Sequence, residues 1–560
     1  INYRDRKFNL FGNFSYSNAR NFNNNNDRRY FYNKDESLRS FLQANSRYTW
    51  RSDAWNTRVG MDYFVSPKTT LGVMLTGTIR PKTDRLEYAT NEYNDNMQLD
   101  SISTGYTDGS YHWKNGSMNL NFQHKFDSSG KTLTADMDYI NYRSDSRQVS
   151  PNYLFLPDSN LSSSSDLLFL QPSNVNIWSV KADYTQPLKG KARFDAGFKS
   201  SYVTNDNQLG WYNRAGNLFA PDYSKSDHFI YRERINSAYL TVAKEWKRWA
   251  IQGGLRMENT QSKGHQLSNP VIADSAFTRR YSLLFPTLYT SYKLDSGGNN
   301  TLTLSYSRRV RRPGYQQLNP FLFYRDRYTY SSGNPGLLPE YGYYLDLRYN
   351  YKQYISVTLA YSWQQHLIYP TSRASGDLLI TRPQNFSGRH SIGVIPNASF
   401  SPAKWWSVNL NALIIFFVNK SGVDSIQLPV NTNMHEVEVF NQFHFRKGWG
   451  AELTGFFPGR QSFGQSKSEG VYYNISAGIQ KNILKSKGTL RLKMDDIFHT
   501  TTRNAKSVAI PQVTTYLTSQ SDTRQLGLSF SYRFGKDINA RKRNHNTGGA
   551  GDEEKRTMSP

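Results

Sequence analysis

The chain has 560 residues and no cysteine, which excludes disulfide bonds, thiol catalysis and thiolate-bound metals. Long apolar segments are also missing. The longest apolar run extends from Ala412 to Val418, far short of the roughly 20 apolar residues that a membrane-spanning helix requires. No signal peptide opens the chain, which begins at Ile1 without an initiator methionine. We therefore interpret it as a fragment or a processed product.

Motifs for enzyme chemistry are absent as well. The 10 histidines form no His-x-x-His pair, and no Gly-x-Ser-x-Gly motif is evident. Asp136 and Asp138 could serve a cation or acid–base chemistry, but no third ligand stands at a useful spacing, and we expect them to form salt bridges. The sequence therefore predicts no enzyme, no cofactor and no metal site.

Positive charge is in excess, since 69 Lys and Arg residues face 44 Asp and Glu residues and give a formal net charge of +25. This charge would suit nucleic acid, but the basic residues are scattered rather than gathered in one motif. We expect them to pair with carboxylates and to meet anionic lipid headgroups or lipopolysaccharide. A nucleic-acid partner is not predicted.

Aromatic residues are abundant, at 15% of the chain, although the mean hydropathy is only −0.70. The segment Gln525–Gly535 alternates between two faces without an error. One face carries Leu526, Leu528, Phe530, Tyr532 and Phe534, and the other carries Gln525, Gly527, Ser529, Ser531 and Arg533. The same alternation recurs through the chain and indicates strands that separate lipid from water.

Tight turns divide the chain into hairpins. They fall at or near Ser66–Thr69, Asp127–Gly130, Pro187–Gly190, Lys247–Arg248, Asp295–Gly298, Lys352–Gln353, Ser401–Lys404, Lys447–Gly448 and Lys485–Gly488. These turns, with one strand before them and one after, predict about twenty strands, near the 22 of plugged transporters. The connections on the other side are interpreted as long polar loops: Asn21–Asn26, Arg80–Asn115, Ser144–Asn174 and Arg312–Glu340. Short periplasmic turns and long outer loops are typical of outer-membrane barrels.

The predicted fold is therefore all-β, a transmembrane antiparallel up-and-down β-barrel with about 20 strands visible of a probable 22. We assign the barrel to residues 1–535 and interpret it as N-terminally incomplete. Residues 536–560 contain many charges and almost no apolar side chains. We predict that they form a disordered charged tail in the periplasm.

Three local patterns are more specific than composition. They are Gly254-Leu-Arg-Met-Glu-Asn-Thr260, Leu284-Phe-Pro-Thr-Leu-Tyr-Thr-Ser-Tyr-Lys-Leu294, and the pair formed by Arg312-Pro-Gly-Tyr-Gln-Gln-Leu-Asn-Pro320 and Gly333-Asn-Pro-Gly-Leu-Leu-Pro-Glu340. With these motifs the chain resembles the barrel part of TonB-dependent outer-membrane receptors, and most closely the Bacteroidota-type outer-membrane β-barrel subfamily. The resemblance covers essentially the whole chain.

The resemblance implies a multi-pass barrel in the outer membrane of a Gram-negative bacterium that takes up a scarce, bulky nutrient with energy from the TonB complex. A siderophore, a vitamin, a peptide or a glycan would fit, and the substrate stays open. The plug domain is missing from the chain, and contact with TonB is assigned to a missing N-terminal segment. A surface lipoprotein is an open partner. The alternatives are a passive porin, which usually has 16 to 18 strands, and an outer-membrane enzyme or adhesin.

Candidate ligand-binding residues lie at the end of one strand. Alternation from Leu302 and Leu304 places Arg309 and Arg311 on the lumen side, and Arg312 follows them. These arginines could attract a carboxylate, phosphate or catecholate group. The alternative is that they pair with acidic neighbours across the barrel, or with the plug, because ion pairs are the common fate of interior charges.

The loop Pro313–Pro339 that follows is rich in aromatic residues. They could form a ligand platform by stacking and cation–π contact, or they could equally pack the loop on itself or mark the outer interface of the membrane. Asn334 and the prolines around it are predicted to fix a turn. The candidate residues of this loop are Tyr315, Tyr324, Arg325, Tyr328 and Tyr330.

Overall fold

The computed structural model describes residues 2–420, 428–429, 431–507, 509–532 and 549–557. They form one 28-stranded sheet, two 3₁₀ turns (Gln316–Leu318 and Arg446–Gly448) and the short helix α1 (Gly551–Thr557). The strands are β1 (Asn2–Arg4), β2 (Phe8–Tyr32), β3 (Leu38–Phe64), β4 (Thr69–Tyr93), β5 (Leu99–Lys125), β6 (Thr132–Phe155), β7 (Leu161–Leu188), β8 (Ala192–Ala215), β9 (Leu218–Pro221), β10 (Asp227–Glu245), β11 (Trp249–Gln266), β12 (Ser275–Lys293), β13 (Asn300–Arg311), β14 (Leu322–Asp326), β15 (Thr329–Ser332), β16 (Glu340–Tyr351), β17 (Ile355–Ser375), β18 (Leu378–Ala403), β19 (Trp406–Lys420), β20 (Asn431–His444), β21 (Trp449–Pro458), β22 (Ser462–Phe463), β23 (Ser466–Ser468), β24 (Asn474–Ile483), β25 (Gly488–Asp495), β26 (Thr502–Ser507), β27 (Val513–Ser521) and β28 (Gln525–Tyr532). None of the helices in these ranges is long and apolar enough to cross a membrane.

Twenty of the described strands form a continuous antiparallel wall, in which each strand pairs with the next wall strand along the chain. They are β2–β8, β10–β13, β16–β21, β24, β25 and β28. Each of the predicted tight turns joins two of these strands. The predicted strand number and up-and-down order are therefore confirmed.

Alternation divides each wall strand between lipid and lumen. Leu240 on β10 pairs with Leu255 on β11, and both point outward with 47% and 42% of their surface exposed. Trp246 and Trp249 lie beside the turn at the end of this apolar band, the level of an aromatic girdle. Polar residues such as Glu233 turn inward and are buried.

The last strand follows the same rule. Leu526, Leu528 and Phe530 are exposed on β28 and pair in register with apolar residues of β25. Arg533 and Phe534, which the alternation also assigned, lie outside the described residues. The apolar band of β25 thus continues onto β28, although the residues of both faces of β28 are exposed.

Three of the four predicted long loops are wrong. Asn21–Asn26, Arg80–Asn115 and Ser144–Asn174 lie largely within strands, because β2 to β8 are 24 to 28 residues long and pair far beyond the membrane. A tilted strand needs only about 9–11 residues to cross a bilayer. Above the membrane both faces of a strand meet water, so the apolar alternation ends while backbone pairing continues. Side-chain amides there pair across neighbouring strands, as where Asn26 donates a hydrogen bond to Asn45 at 2.7 Å.

At this tall outer end the first wall strand, β2, pairs with a strand that lies outside the wall. Asn23–Phe31 of β2 pairs with Val513–Ser521 of β27, which pairs with β26, and β26 pairs with β23. Nearer the short turns, β28 pairs with β25 and β2 pairs with β1 and β3. The outer hairpin β26–β27 therefore links the first and last parts of the wall.

The predicted tail differs from the structure where it is described. Gly549–Thr557 forms a turn and α1 inside the lumen, whereas a disordered periplasmic segment was expected. The reason is charge pairing with the wall, as between Lys199 Nζ and Glu553 Oε2 at 3.0 Å. Residues 536–548 and 558–560 lie outside the described residues.

Replacing Leu240 by arginine tests the assigned lipid face. A lipid-facing arginine costs about 2–4 kcal/mol near the middle of a bilayer, so we expect a lower free energy of unfolding in lipid vesicles. Urea titration followed by the gel shift between folded and heated barrel measures this energy. Thr241→Arg is the matched control, because Thr241 follows Leu240 on β10, is half-buried and faces the lumen by alternation. An equal loss of unfolding free energy in both variants would contradict the assignment of Leu240 to the lipid face.

Candidate functional site

The connection between β13 and β16, Pro313–Pro339, folds into the barrel, and we call it the inward loop. Tyr315, Leu318, Phe321 and Leu337 of this loop are at most 2% exposed. They pack against inward-facing residues of β6, β7, β8 and β10: Ile140, Tyr142, Val175, Ile177, Val203, Phe229 and Tyr231. The largest apolar core of the described residues therefore lies inside the barrel, between this loop and the wall.

The two halves of the sequence motif clamp the base of the inward loop. A Cβ on Gly333 would lie 2.2 Å from the backbone oxygen of Asn319, so only glycine permits this approach. Asn334 donates its backbone N–H to the carbonyl of Gln317 at 2.6 Å, and its side-chain oxygen accepts the N–H of Gly336 at 2.8 Å. The predicted turn-forming role of Asn334 is confirmed.

The tip of the inward loop reaches the opposite wall. Tyr328 donates a hydrogen bond to Glu92 Oε2 at 3.0 Å on β4, and Thr329 accepts one from Arg29 Nη1 at 2.9 Å on β2. Strand β15, near the tip, pairs in parallel with β18. The inward loop therefore crosses the lumen instead of extending outward.

An aromatic cluster fixes the middle of the inward loop. Tyr324 stacks on Phe169 with 5.6 Å between ring centroids, and Trp211 and Tyr330 meet it edge-on. Its hydroxyl donates to Asn152 Oδ1 at 2.5 Å. Burial raises the pKa of the Tyr324 phenol, which therefore stays neutral and acts as a hydrogen-bond donor.

The arginines at the base of the inward loop have acidic partners. Arg311 forms an ion pair with Glu340, and Arg312 pairs with Glu258 at 2.6 Å. Arg312 and Glu258 are both largely buried, with side-chain exposures of 11% and 4%. Both arginines therefore pair with acidic neighbours, as the alternative expected, but these lie on the nearby strands β16 and β11 and not across the barrel.

Arg309 is different, because it has no carboxylate partner among the residues that the structure describes. It is exposed, donates to Ser307 Oγ at 3.2 Å and lies 5.3 Å from the ring centroid of Tyr344. It lines a cavity of about 660 Å³, within the usual size of ligand sites. Other charged lining residues are Arg256, Arg308, Arg311, Arg312, Lys555, Arg556, Glu258, Asp552 and Glu553. Cations outnumber carboxylates there, so the cavity can attract an anionic group.

The predicted site residues thus do not form a single site. Arg309, Arg311 and Arg312 meet at the arginine-lined cavity, and Tyr315 is buried in the adjoining core. The other residues are distributed along the inward loop: Tyr324 and Tyr330 in the aromatic cluster, Tyr328 at the tip, and Arg325 exposed. A ligand role for any of these eight residues stays a prediction.

Sequence reasoning missed two further residues of the cavity, Arg256 and Glu258. Glu258 is held from two sides, by Arg256 at 2.5 Å and by Arg312 at 2.6 Å. The alternation of β11 could have identified them. Leu255 and Met257 are apolar and face lipid, so Arg256 and Glu258 face the lumen.

Within the part of the chain that the structure describes, Asp136 and Asp138 do not form the expected salt bridges. Asp138 is buried and accepts a hydrogen bond from Asn119 Nδ2 at 2.7 Å, so an amide takes the place of a cation. Among the ion pairs of the described ranges, the nearby Lys181 joins Asp183 at 2.7 Å. No group of three His, Asp or Glu side chains able to hold a metal ion is found in those ranges.

A wall of antiparallel strands with an outward apolar band and a charged, loop-filled interior defines an outer-membrane β-barrel. Residues 124–532 match the model of the outer membrane protein beta-barrel family, and the chain belongs to that family. The protein is therefore located in the outer membrane of a Gram-negative bacterium. No match was found among curated proteins.

Solved structures show the same fold. The copper transporter OprC is similar with a TM-score of 0.58 and 14% identity, over 90% of this chain and 80% of that one. The ferripyoverdine receptor of the outer membrane of Pseudomonas aeruginosa gives 0.54 and 12%, over 90% and 72%. The FpvAI–pyocin S2 complex gives 0.53 and 12%, over 89% and 73%.

Replacing Gly333 by alanine should release the inward loop. The added Cβ collides with a backbone oxygen that cannot move as a side chain could. We expect trypsin to cleave the loop at Arg325 or Arg327 about tenfold faster in the folded barrel, because the free energy of local opening is lower. Gly253→Ala is the control, since a Cβ there meets no atom within 4 Å. Unchanged cleavage of Gly333→Ala would show that the clamp is not needed.

Proposed function

We propose that this chain is the barrel of a TonB-dependent receptor that takes up a scarce, bulky nutrient across the outer membrane. The observation that carries the proposal is the inward loop, which crosses the lumen above an arginine-lined cavity. A large solute can pass only if the loop moves, and such movement requires energy that a passive porin does not use. The likeness to a copper transporter and a ferripyoverdine receptor supports this choice.

The chemistry of the cavity favours a nutrient with an anionic group, such as a metal chelate bearing carboxylate or catecholate oxygens. In this proposal Arg309 binds the anion, while Arg311 and Arg312 add positive potential. Arg325, exposed on the inward loop, meets the ligand from outside. The tyrosines then act by positioning the loop: Tyr315, Tyr324, Tyr328 and Tyr330.

The partners follow from the proposed function. The TonB complex would contact a segment N-terminal to the barrel, and a plug domain would share the lumen with the inward loop. A surface lipoprotein could deliver the nutrient. We propose no catalytic activity for the barrel.

The decisive test is energy coupling. Cells that carry the receptor should take up the nutrient, identified by growth on candidate iron chelates, vitamins, peptides and glycans. We expect uptake to stop when TonB is deleted, while binding to the cell surface continues. Uptake that persists without TonB would identify a passive porin instead.

Arg309→Ala should weaken binding of the identified nutrient to the purified receptor. A hydrogen bond to a charged group contributes about 1.5–3 kcal/mol, so we expect an affinity loss of about tenfold or more. Isothermal titration measures it. Arg143→Ala is the matched control, because Arg143 is exposed on the outer face and pairs with Asp145 at 3.2 Å. Equal affinities of the Arg309→Ala variant and the unaltered receptor would remove Arg309 from the site.

A further inference from the structure

The C-terminal residues Gly549–Thr557, which we call the tail segment, make specific contacts inside the lumen. Their helix has 7 residues, and so short a helix is not stable alone in water. Its order must therefore come from contacts with the barrel. We propose that the barrel interior contains a peptide-binding site and that the tail segment is the ligand of this site in the same chain. Such a site does not depend on the proposed transport.

One charged contact fixes the acidic side of the helix. Glu553 has 3% side-chain exposure and accepts hydrogen bonds from Lys199 Nζ at 3.0 Å and Ser201 Oγ at 2.7 Å, both on β8. Glu554 accepts another from the Tyr142 hydroxyl at 2.6 Å on β6. Lys199 is itself only 8% exposed, so the wall presents a buried cation that needs an acidic partner.

A second contact of opposite sign fixes the other end of the helix. Arg556 forms an ion pair with Glu233 on β10, whose side chain is 2% exposed. Its Nε donates to the carbonyl of Pro313 at 3.0 Å, and its guanidinium lies 4.3 Å from the ring centroid of Tyr315. The backbone N–H of Tyr315 donates to the carbonyl of Arg556 at 3.2 Å. The tail segment therefore binds the wall and the base of the inward loop together.

Small residues allow the tail segment to lie close to the wall. A Cβ on Gly549 would come within 2.6 Å of Ser179 Oγ and 3.2 Å of Lys181 Cβ. Ala550 is 1% exposed and belongs to the same apolar core as Tyr315. Larger side chains at these two positions would push the helix away from the charged residues that hold it.

The charges also define the direction of the ligand. Glu553 and Arg556 stand three residues apart and so lie on one side of the helix. They meet Lys199 and Glu233, which have the opposite signs. A reversed peptide would bring like charges together. The site therefore selects a short helix with small residues first, then an acidic residue, then an arginine three positions later.

Charge reversal in the full chain tests the site. Hydrogen exchange measured by mass spectrometry should show protection of residues 549–557 in the unaltered protein, in detergent. Arg556→Glu should raise their exchange rate about tenfold or more, and adding Glu233→Arg should restore protection. Arg143→Ala is the control, since Arg143 is exposed on the outer face, where it pairs with Asp145 at 3.2 Å, and does not contact the tail segment. Rapid exchange of the tail segment in the unaltered protein would overturn the proposal.

A second measurement covers the case in which the charge variants fail to fold. The chain ending at residue 548 is mixed with a fluorescent peptide of residues 549–560, and binding is followed by anisotropy. We expect saturable binding that the full chain shows only weakly, because its own tail occupies the site. A peptide carrying both Glu553→Arg and Arg556→Glu should not bind. Equal binding of the two peptides, or no binding of either, would overturn the proposal.

Discussion

Hydrocarbon offers no hydrogen-bond partner, and this constraint shapes the whole molecule. Alternation lets each wall strand satisfy it, because apolar side chains face lipid and polar ones turn to the lumen. The lumen then contains buried charges that must be paired. Glu258 is held by two arginines, and Lys199 and Glu233 are paired by the tail segment. The apolar outer surface and the paired charges of the lumen therefore both follow from the lack of hydrogen-bond partners in hydrocarbon.

The inward loop buries apolar wall residues that also point into the lumen. Wall residues above the charged layer, such as Ile177 and Val203, point inward but are apolar, and each is at most 1% exposed. The inward loop covers them with Tyr315, Leu318 and Phe321, and the closely packed Gly333 holds its two ends together. The motif around Gly333 therefore fixes the base of the inward loop, which forms a barrier across the lumen.

The wall could be predicted from the sequence because the patterns that define it, turns and alternation, involve residues close together in the chain. A turn and the alternation on either side lie within about twenty residues, a range that periodicity reads well. The interior could not be predicted in this way. Tyr328 and Glu92 are 236 positions apart, and Arg556 and Glu233 are 323 apart. The prediction that Asn21–Asn26 forms a loop was wrong for another reason. Where both faces of a strand meet water, the side chains of both faces are polar, and the sequence resembles that of a loop.

The tail segment and a bound anion would use different charges of one cavity. Glu553 and Arg556 are already paired with the wall, so the tail segment leaves Arg309 available. Electrostatics therefore allows both occupants at once. Volume allows both only for a ligand that fits the cavity of about 660 Å³, because Arg556 of the tail segment forms part of the cavity lining. A ligand larger than this space must displace the tail segment, the inward loop or both, and both are joined at Pro313 and Tyr315. Size, rather than charge, then decides whether the barrier across the lumen has to open.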